Sequence, residues 1–225
     1  MVVNAVVARK GRRFALLMAA HDSEYVLKKY GGYLNVFVAA FGDASAGETW
    51  DLYRAVDGEL PGEGDLDRRG TTGRGRKCAR FRPGARARIS IARNGGVCFG
   101  HQVICRALGG RVARASSGWD IGIREVAMAG VQLPGQCRFL DALRELPPSA
   151  NITKIHQDEV WEVPAGAEVL ASSDKTGVEM FRVGEHMLGI QGHPEYTNDI
   201  LLNLVNRLLG AGSITVCSAS IACLL

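Results

Sequence analysis

The stretch Gly96-Val97-Cys98-Phe99-Gly100-His101-Gln102 constrains the fold of this chain more than any other. Glycines stand two positions before and two after the cysteine, where they permit backbone angles and close approaches that a side chain would forbid. Residues 102–108 follow with an amphipathic pattern and close on Gly109-Gly110. That is the pattern of a strand turning sharply into a helix, which belongs to an α/β architecture. The start of a helix favours negative charge, so a cysteine held there is a candidate nucleophile.

The segments on either side fit such a fold. Residues 14–20 form a short continuous apolar run, as expected of a strand buried on both faces. Asp22-Ser23 is expected to cap a helix bearing Tyr25, Val26, Lys29, Tyr30 and Tyr33, with residues 36–40 as its extension. Residues 50–56 read as a second strand ending at Asp57-Gly58, and strand–helix–strand openings belong to open parallel sheets. Further strands are expected at 111–115, 121–128, 168–172, 178–183 and 187–191, while residues 152–155 lead into His156-Gln157-Asp158-Glu159. A short helix is expected at 140–146, stopped by Pro147-Pro148. Asn198 is expected to cap a last helix whose Ile200, Leu201, Leu204, Val205 and Leu208 repeat at helical spacing. The expected class is therefore α/β, an open mostly parallel sheet with helices on both faces, in one domain over residues 14–209. Residues 210–225 form an atypical tail.

Charge is unevenly spread. The net charge is +4, yet Arg68, Arg69, Arg74, Arg76, Lys77, Arg80, Arg82, Arg86, Arg88 and Arg93 crowd one segment in which Asp67 is the only acid. The rest of the chain is acidic overall, so the global charge says little about partners. Residues 67–95 are atypical, and 68–88 within them lack strand alternation and a helical apolar stripe. Alone, they read as a disordered or RNA-binding basic tract that takes the place of one strand–helix unit. The six cysteines (Cys78, Cys98, Cys105, Cys137, Cys217 and Cys223) make no CxxC pair and no spaced Cys/His set. No metal site, cofactor or disulfide framework is expected, and a reducing cytosolic compartment fits. The apolar start at residues 1–7 is too short for a signal peptide, and no run approaches a membrane span.

Gln191-Gly192-His193-Pro194-Glu195 supplies the rest of a catalytic constellation. Residues two apart in an extended chain share a side, so Glu195 is placed to orient the His193 imidazole. Cys98 would attack, with His193 as base and the Phe99 N–H as an oxyanion donor at the helix start. Other candidates have plainer readings. Cys105, Cys137, Cys217 and Cys223 suit small apolar core positions. His101 suits helix packing, and His156 with Asp158 a structural turn that alternatively lines the site. Trp119-Asp120 is either a loop anchor or a substrate border. Cys78, His21, His186, Ser116 and Ser117 are assigned no catalytic part.

Residues 14–57 and 96–209 resemble the class I glutamine amidotransferase-like family, most of all the plant gamma-glutamyl peptidases. The resemblance is carried by Asp22-Ser23-Glu24 with Tyr30-Gly31-Gly32-Tyr33, by Val97-Cys98-Phe99-Gly100-His101-Gln102 and by Gly109-Gly110. It continues in His156-Gln157-Asp158-Glu159-Val160 and in Gly189-Ile190-Gln191-Gly192-His193-Pro194-Glu195-Tyr196. It implies a flavodoxin-like fold, Cys98 as nucleophile, His193 as base, Glu195 as its orienter and Gln102 as a contact for a glutamyl group. The implied activity is cysteine-dependent cleavage of the gamma-glutamyl amide bond in glutathione-like peptides or conjugates, through a glutamyl thioester. The implied partner is a small gamma-glutamyl substrate, with neither membrane nor nucleic acid. The family also implies an apolar strand and a glycine turn upstream of the nucleophile, giving a second oxyanion N–H. Here the matching region is the basic tract, with Thr72-Gly73-Arg74-Gly75 the stand-in, and loss of one donor lowers turnover by on the order of 10²–10³. Two alternatives stay open: a glutaminase subunit passing ammonia to a synthase, and an inactive binding protein whose basic tract contacts nucleic acid.

Overall fold

The computed structural model describes residues 2–8, 13–42, 47–61, 94–129, 147–184 and 187–215. Residues 62–93, Cys78 among them, and so all of the 67–95 basic segment except Asn94 and Gly95, lie outside the described residues, as do the helix expected at 140–146, Cys137, Cys217, Cys223 and His186. Asn94 and Gly95 belong to the strand Asn94–Val97.

Eleven strands are described: β1 (Val2–Ala8), β2 (Arg13–Met18), β3 (Thr49–Tyr53), β4 (Asn94–Val97), β5 (Arg111–Arg114), β6 (Asp120–Met128), β7 (Ser149–His156), β8 (Asp158–Glu162), β9 (Ala167–Ser172), β10 (Met180–Val183) and β11 (Met187–Ile190). Nine of them form one sheet in the order β3-β2-β1-β4-β11-β10-β9-β6-β7, while β5 and β8 pair separately. The helices are α1 (Glu24–Tyr30), α2 (Tyr33–Phe41), α3 (Phe99–Ala107) and α4 (Asn198–Gly210).

Alternation along β4 separates the two faces of the sheet. Val97 joins Leu16, Met18, Val26, Val36, Phe37 and Ile200, so α1, α2 and α4 cover one face. Gly96 points the other way, to α3, whose Ile104 and Cys105 pack with Val160 and Phe181. The α/β class with helices on both faces is as expected. Strand direction is mixed, however, since among the described strands only β2–β3 and β4–β11 pair in parallel. The cause is connectivity. The short links from β9 to β10 and from β10 to β11 leave no room for a crossover, so those strands pair antiparallel. In addition, β1 lies antiparallel between β2 and β4, a strand that its short apolar run did not announce.

Local chemistry explains several boundaries. The Ser23 hydroxyl accepts the Val26 N–H at 3.2 Å and caps α1. Gly31, at φ 73°, ends that helix in the left-handed region, so the expected single helix is two. The carboxylate of Asp22 then accepts the Tyr33 N–H at 2.6 Å at the start of α2. Thr197, rather than Asn198, is the N-cap of α4. Of the tail, Ile214 packs on Ile121, Leu201 and Val205.

The far half of the sheet curls. Although β7 ends the strand order, Thr153 forms an antiparallel bridge with His193, just beyond β11. The row β11-β10-β9-β6-β7 thus returns on itself. Ile121 and Ile155 look outward to the α4 cluster, while Asp120, Lys154 and His156 are buried on the other side of their strands.

The crossing of α3 over β4 requires glycine. A Cβ on Gly96 would stand 2.5 Å from the Gly100 carbonyl carbon and 2.7 Å from Ile104 Cδ1. Backbone cannot yield as a flexible side chain does, so Gly96→Ala is expected to destabilise the protein by about 1–3 kcal/mol. Urea unfolding of the two proteins measures this, and an unchanged midpoint would contradict the close crossing.

Candidate active site

The last hydrogen bond of the central parallel pair runs from the Cys98 N–H to the Ile190 carbonyl, at 2.8 Å. The chain then turns. Cys98 has φ 50° and ψ −103°, and it is the only non-glycine residue with positive φ among the described residues. A side chain in that region costs on the order of 1–3 kcal/mol, held here by the strand behind and the helix ahead. The Cys98 carbonyl accepts the Gln102 N–H at 3.1 Å as α3 begins. Phe99 is the first residue of α3, where N–H groups have no acceptor within the helix.

The neighbouring strand delivers the histidine. Beyond β11 the Gln191 N–H donates to the Glu179 carbonyl and the His193 N–H to the Thr153 carbonyl, each at 2.8 Å. The His193 Nδ1–H donates to Glu195 Oε1 at 2.7 Å, with both side chains buried. The Tyr196 ring stacks on the imidazole at 4.0 Å, with the planes 4° apart. Burial by itself would lower the His193 pKa. The Glu195 carboxylate and the Cys98 side chain, which also hydrogen-bonds the ring, outweigh that and hold it at about 9.

Amides order the sulfur from beneath. Gln191 Nε2 donates to Cys98 Sγ at 3.6 Å, while Gln102 Nε2 donates to Gln191 Oε1 at 3.2 Å and to the Asp158 carbonyl at 2.7 Å. Cys98, Phe99, Gln102, His193 and Glu195 therefore fall in one cluster where β4 and β11 end.

The other candidates lie around it. His101 is wholly buried against Phe181, at 4.8 Å between ring centroids, and burial pushes its pKa down to about 3. It is thus a neutral packing residue. Burial lowers His156 to about 4, and its Nε2 lies 3.7 Å from Asp120 Oδ2 inside the curl. Asp120 is itself buried and paired with Arg124 at 3.0 Å. Cys105 donates to the Glu162 carbonyl in the core, and burial raises its thiol to about 11. His21 lies on the surface, 3.4 Å from Asp57. Among the described residues, no three His, Cys, Asp or Glu side chains group closely enough to hold a metal ion.

Sequence reasoning missed the ion pair of Lys154 with Glu179, whose side chains are fully buried inside the curl. A signal existed: Lys154 interrupts Ile152 and Ile155, and Glu179 stands between Val178 and Met180. An isolated charge in an apolar strand marks a buried partner.

The family model for glutamine amidotransferase class-I matches residues 84–200, and the chain belongs to the class I glutamine amidotransferase family. It is a glutamine amidotransferase-like hydrolase by that membership. Gamma-glutamyl peptidase 3 of Arabidopsis thaliana is 42% identical over 218 residues, covering 91% of this chain and 85% of the relative. A glutamine-hydrolyzing GMP synthase component of Methanocaldococcus jannaschii is 38% identical over 114 residues, 48% of this chain and 56% of that protein. The solved glutamine amido transferase of Methylobacillus flagellatus shares the fold, with a TM-score of 0.53 at 18% identity over 74% of this chain and 69% of that one. Among the described residues no helix is long and apolar enough to cross a membrane.

The sign of the His193 shift fixes a testable behaviour. Its pKa stands above the ordinary 6.5, so its contribution to stability is complete below that value and is lost as pH rises through about 9. The imidazole signals of His193 in NMR are expected to titrate near pH 9, and Glu195→Gln should move the midpoint down. A wild-type midpoint at the ordinary value would contradict the buried Glu195–His193 arrangement.

Proposed function

We propose that this protein cleaves the gamma-glutamyl amide bond of small glutathione-like peptides or conjugates, with Cys98 as nucleophile. The observation that carries the reading is the strained turn that holds Cys98 beside a histidine ordered by a buried carboxylate.

The Cys98 thiolate attacks the gamma-carbonyl carbon, and the carbonyl electrons move to oxygen. The Phe99 N–H, at the head of α3, faces that oxyanion. When the tetrahedral species collapses, the C–N bond breaks and protonated His193 gives its proton to the leaving amine. A glutamyl thioester remains on Cys98. Neutral His193 next takes a proton from water, whose oxygen attacks the thioester, and glutamate leaves as the thiolate is restored. Glu195 holds the ring in the needed tautomer and balances its charge in both half-reactions. The amide nitrogen of Gln102 is engaged by Asp158 and Gln191, so its oxygen is the atom it offers the glutamyl group. The cycle needs Cys98 as a free thiol, the form it has in the structure, which suits a reducing compartment such as the cytosol. The overall similarity to a gamma-glutamyl peptidase, running over 91% of this chain, supports the substrate class.

A second reading, a glutaminase that hands ammonia to a synthase, is favoured by the similarity to the glutamine-hydrolyzing GMP synthase component over 48% of this chain. The substrates discriminate. Incubation with glutathione is expected to release glutamate and Cys-Gly, whereas a dominant release of ammonia from glutamine would favour the second reading. Cys98→Ser should bring either reaction to background, and glutamate release untouched by that substitution would refute Cys98 as nucleophile. The rate should fall as pH rises through about 9, because the leaving amine then loses its proton donor.

A further inference from the structure

The interior of the curled half-sheet holds an ion pair that the chemistry above does not use. The Lys154 ammonium meets the Glu179 carboxylate with side chains 0% and 1% exposed. Ser173 Oγ donates to the other Glu179 oxygen at 2.6 Å, so the carboxylate is fixed at both ends. Buried ion pairs add little net stability, because removing two charges from water offsets their attraction, and apolar residues of similar size often serve as well. The placement of this pair gives it another role.

Both partners belong to the supports of the Gln191–His193 segment. The Glu179 carbonyl accepts the Gln191 N–H, and Thr153, the residue before Lys154, accepts the His193 N–H. Gly192, between them, lies against Ile152 of β7, where a Cβ would stand 2.8–2.9 Å from three Ile152 carbons. On its far side the segment presents Gln191 Nε2 to the Cys98 sulfur and His193 to Glu195. The bridge between Thr153 and His193 is isolated, with no ladder on either side of it. A single such bridge does not fix the separation of two strands. The Lys154–Glu179 contact ties the two supports together from inside the curl.

We infer that the Lys154–Glu179 ion pair is a positioning element for the active site, setting where the Gln191–His193 segment holds His193 relative to Cys98 and Glu195. The inference rests on the hydrolase reading for its catalytic consequence and on geometry alone for its structural one. Burial lowers the Lys154 ammonium to about 7, while the charges of Asp120 and Cys98 oppose that shift, so the ammonium lies within electrostatic reach of the nucleophile. The groups that act on His193 are Glu195 and Cys98, with Tyr196 stacked on the ring and His156 close enough to feel its charge.

The test is the double variant K154M/E179M, which removes both charges at similar volume and leaves net charge unchanged. Circular dichroism and thermal unfolding report whether it folds. The His193 titration by NMR is expected to move down from about 9 towards 6.5 as the Glu195 contact loosens. Glutamate release from glutathione is expected to lose about ten- to hundredfold in kcat, with KM changed by less than about twofold. A folded double variant with the wild-type titration and kcat overturns the inference and leaves the pair as core filling. Should the double variant fail to fold, E179Q, which keeps shape and hydrogen-bonding capacity, decides by the same two readouts. If the wild type releases no glutamate from any gamma-glutamyl substrate, the hydrolase reading falls, and the His193 titration still decides the role of the pair.

Discussion

The hydrogen bond from the His193 N–H to the Thr153 carbonyl is the contact on which the rest of the site depends. It joins the end of β11 to a strand four places away in the sheet and turns an open row of strands into a curl. Without that closure the far edge of the sheet would stay open, and the chain beyond Ile190 would keep only one of its two backbone anchors, the Gln191 N–H on the Glu179 carbonyl. With it, an imidazole is held at the end of the same parallel pair that carries the cysteine. The base thus reaches the nucleophile across about ninety residues of sequence through one register, Ile190 beside Val97.

The nucleophile side rests on a different constraint, the absence of side chains. Gly96 and Gly100 let α3 cross β4 at backbone contact distance. That proximity goes with a Cys98 held at positive φ, a conformation that costs a side chain strain. The strain is local, and its cost is offset by packing on both sides: Ile104 and Cys105 of α3 in one core, Val97 of β4 with Leu16 in the other. A strand and helix so joined cannot move apart without losing both cores. The sulfur is therefore presented from a turn packed on both faces of the sheet.

This division explains what was legible in the sequence. The turn at Cys98 could be read because its determinants, two glycines and an amphipathic helix, are local. The cap at Ser23 and the apolar stripe of α4 were readable for the same reason. The break between α1 and α2 was visible as Gly31-Gly32, yet its outcome depended on Asp22 reaching back to Tyr33. What escaped was set by long-range pairing. A seven-residue apolar start does not say that it will lie antiparallel between β2 and β4. The stretch 152–155, which reads only as a lead into His156, does not say that Lys154 points into a closed interior. The order of Cys98, His193 and Glu195 in the chain suggested their chemistry, but the Gln102–Gln191 amide relay under the sulfur needed the register of β4 on β11.

Charge balance links the site to the fold. Glu195 is buried, and while one of its oxygens meets His193, the other has no hydrogen-bond partner among the described residues. A carboxylate in that position is held by the imidazole N–H, and its charge favours the protonated ring. The same burial that opposes charge on His193 makes its attraction to Glu195 and Cys98 stronger, because little water remains to screen it. The raised histidine follows from this mutual need. Lys154 and Glu179 repeat the arrangement one layer away, again with each ion depending on the other. Two buried ion pairs, His193 with Glu195 and Lys154 with Glu179, therefore depend on the same closing segment. Displacing that segment would disturb both pairs, and a buried ion that loses its partner costs more than an apolar side chain that shifts.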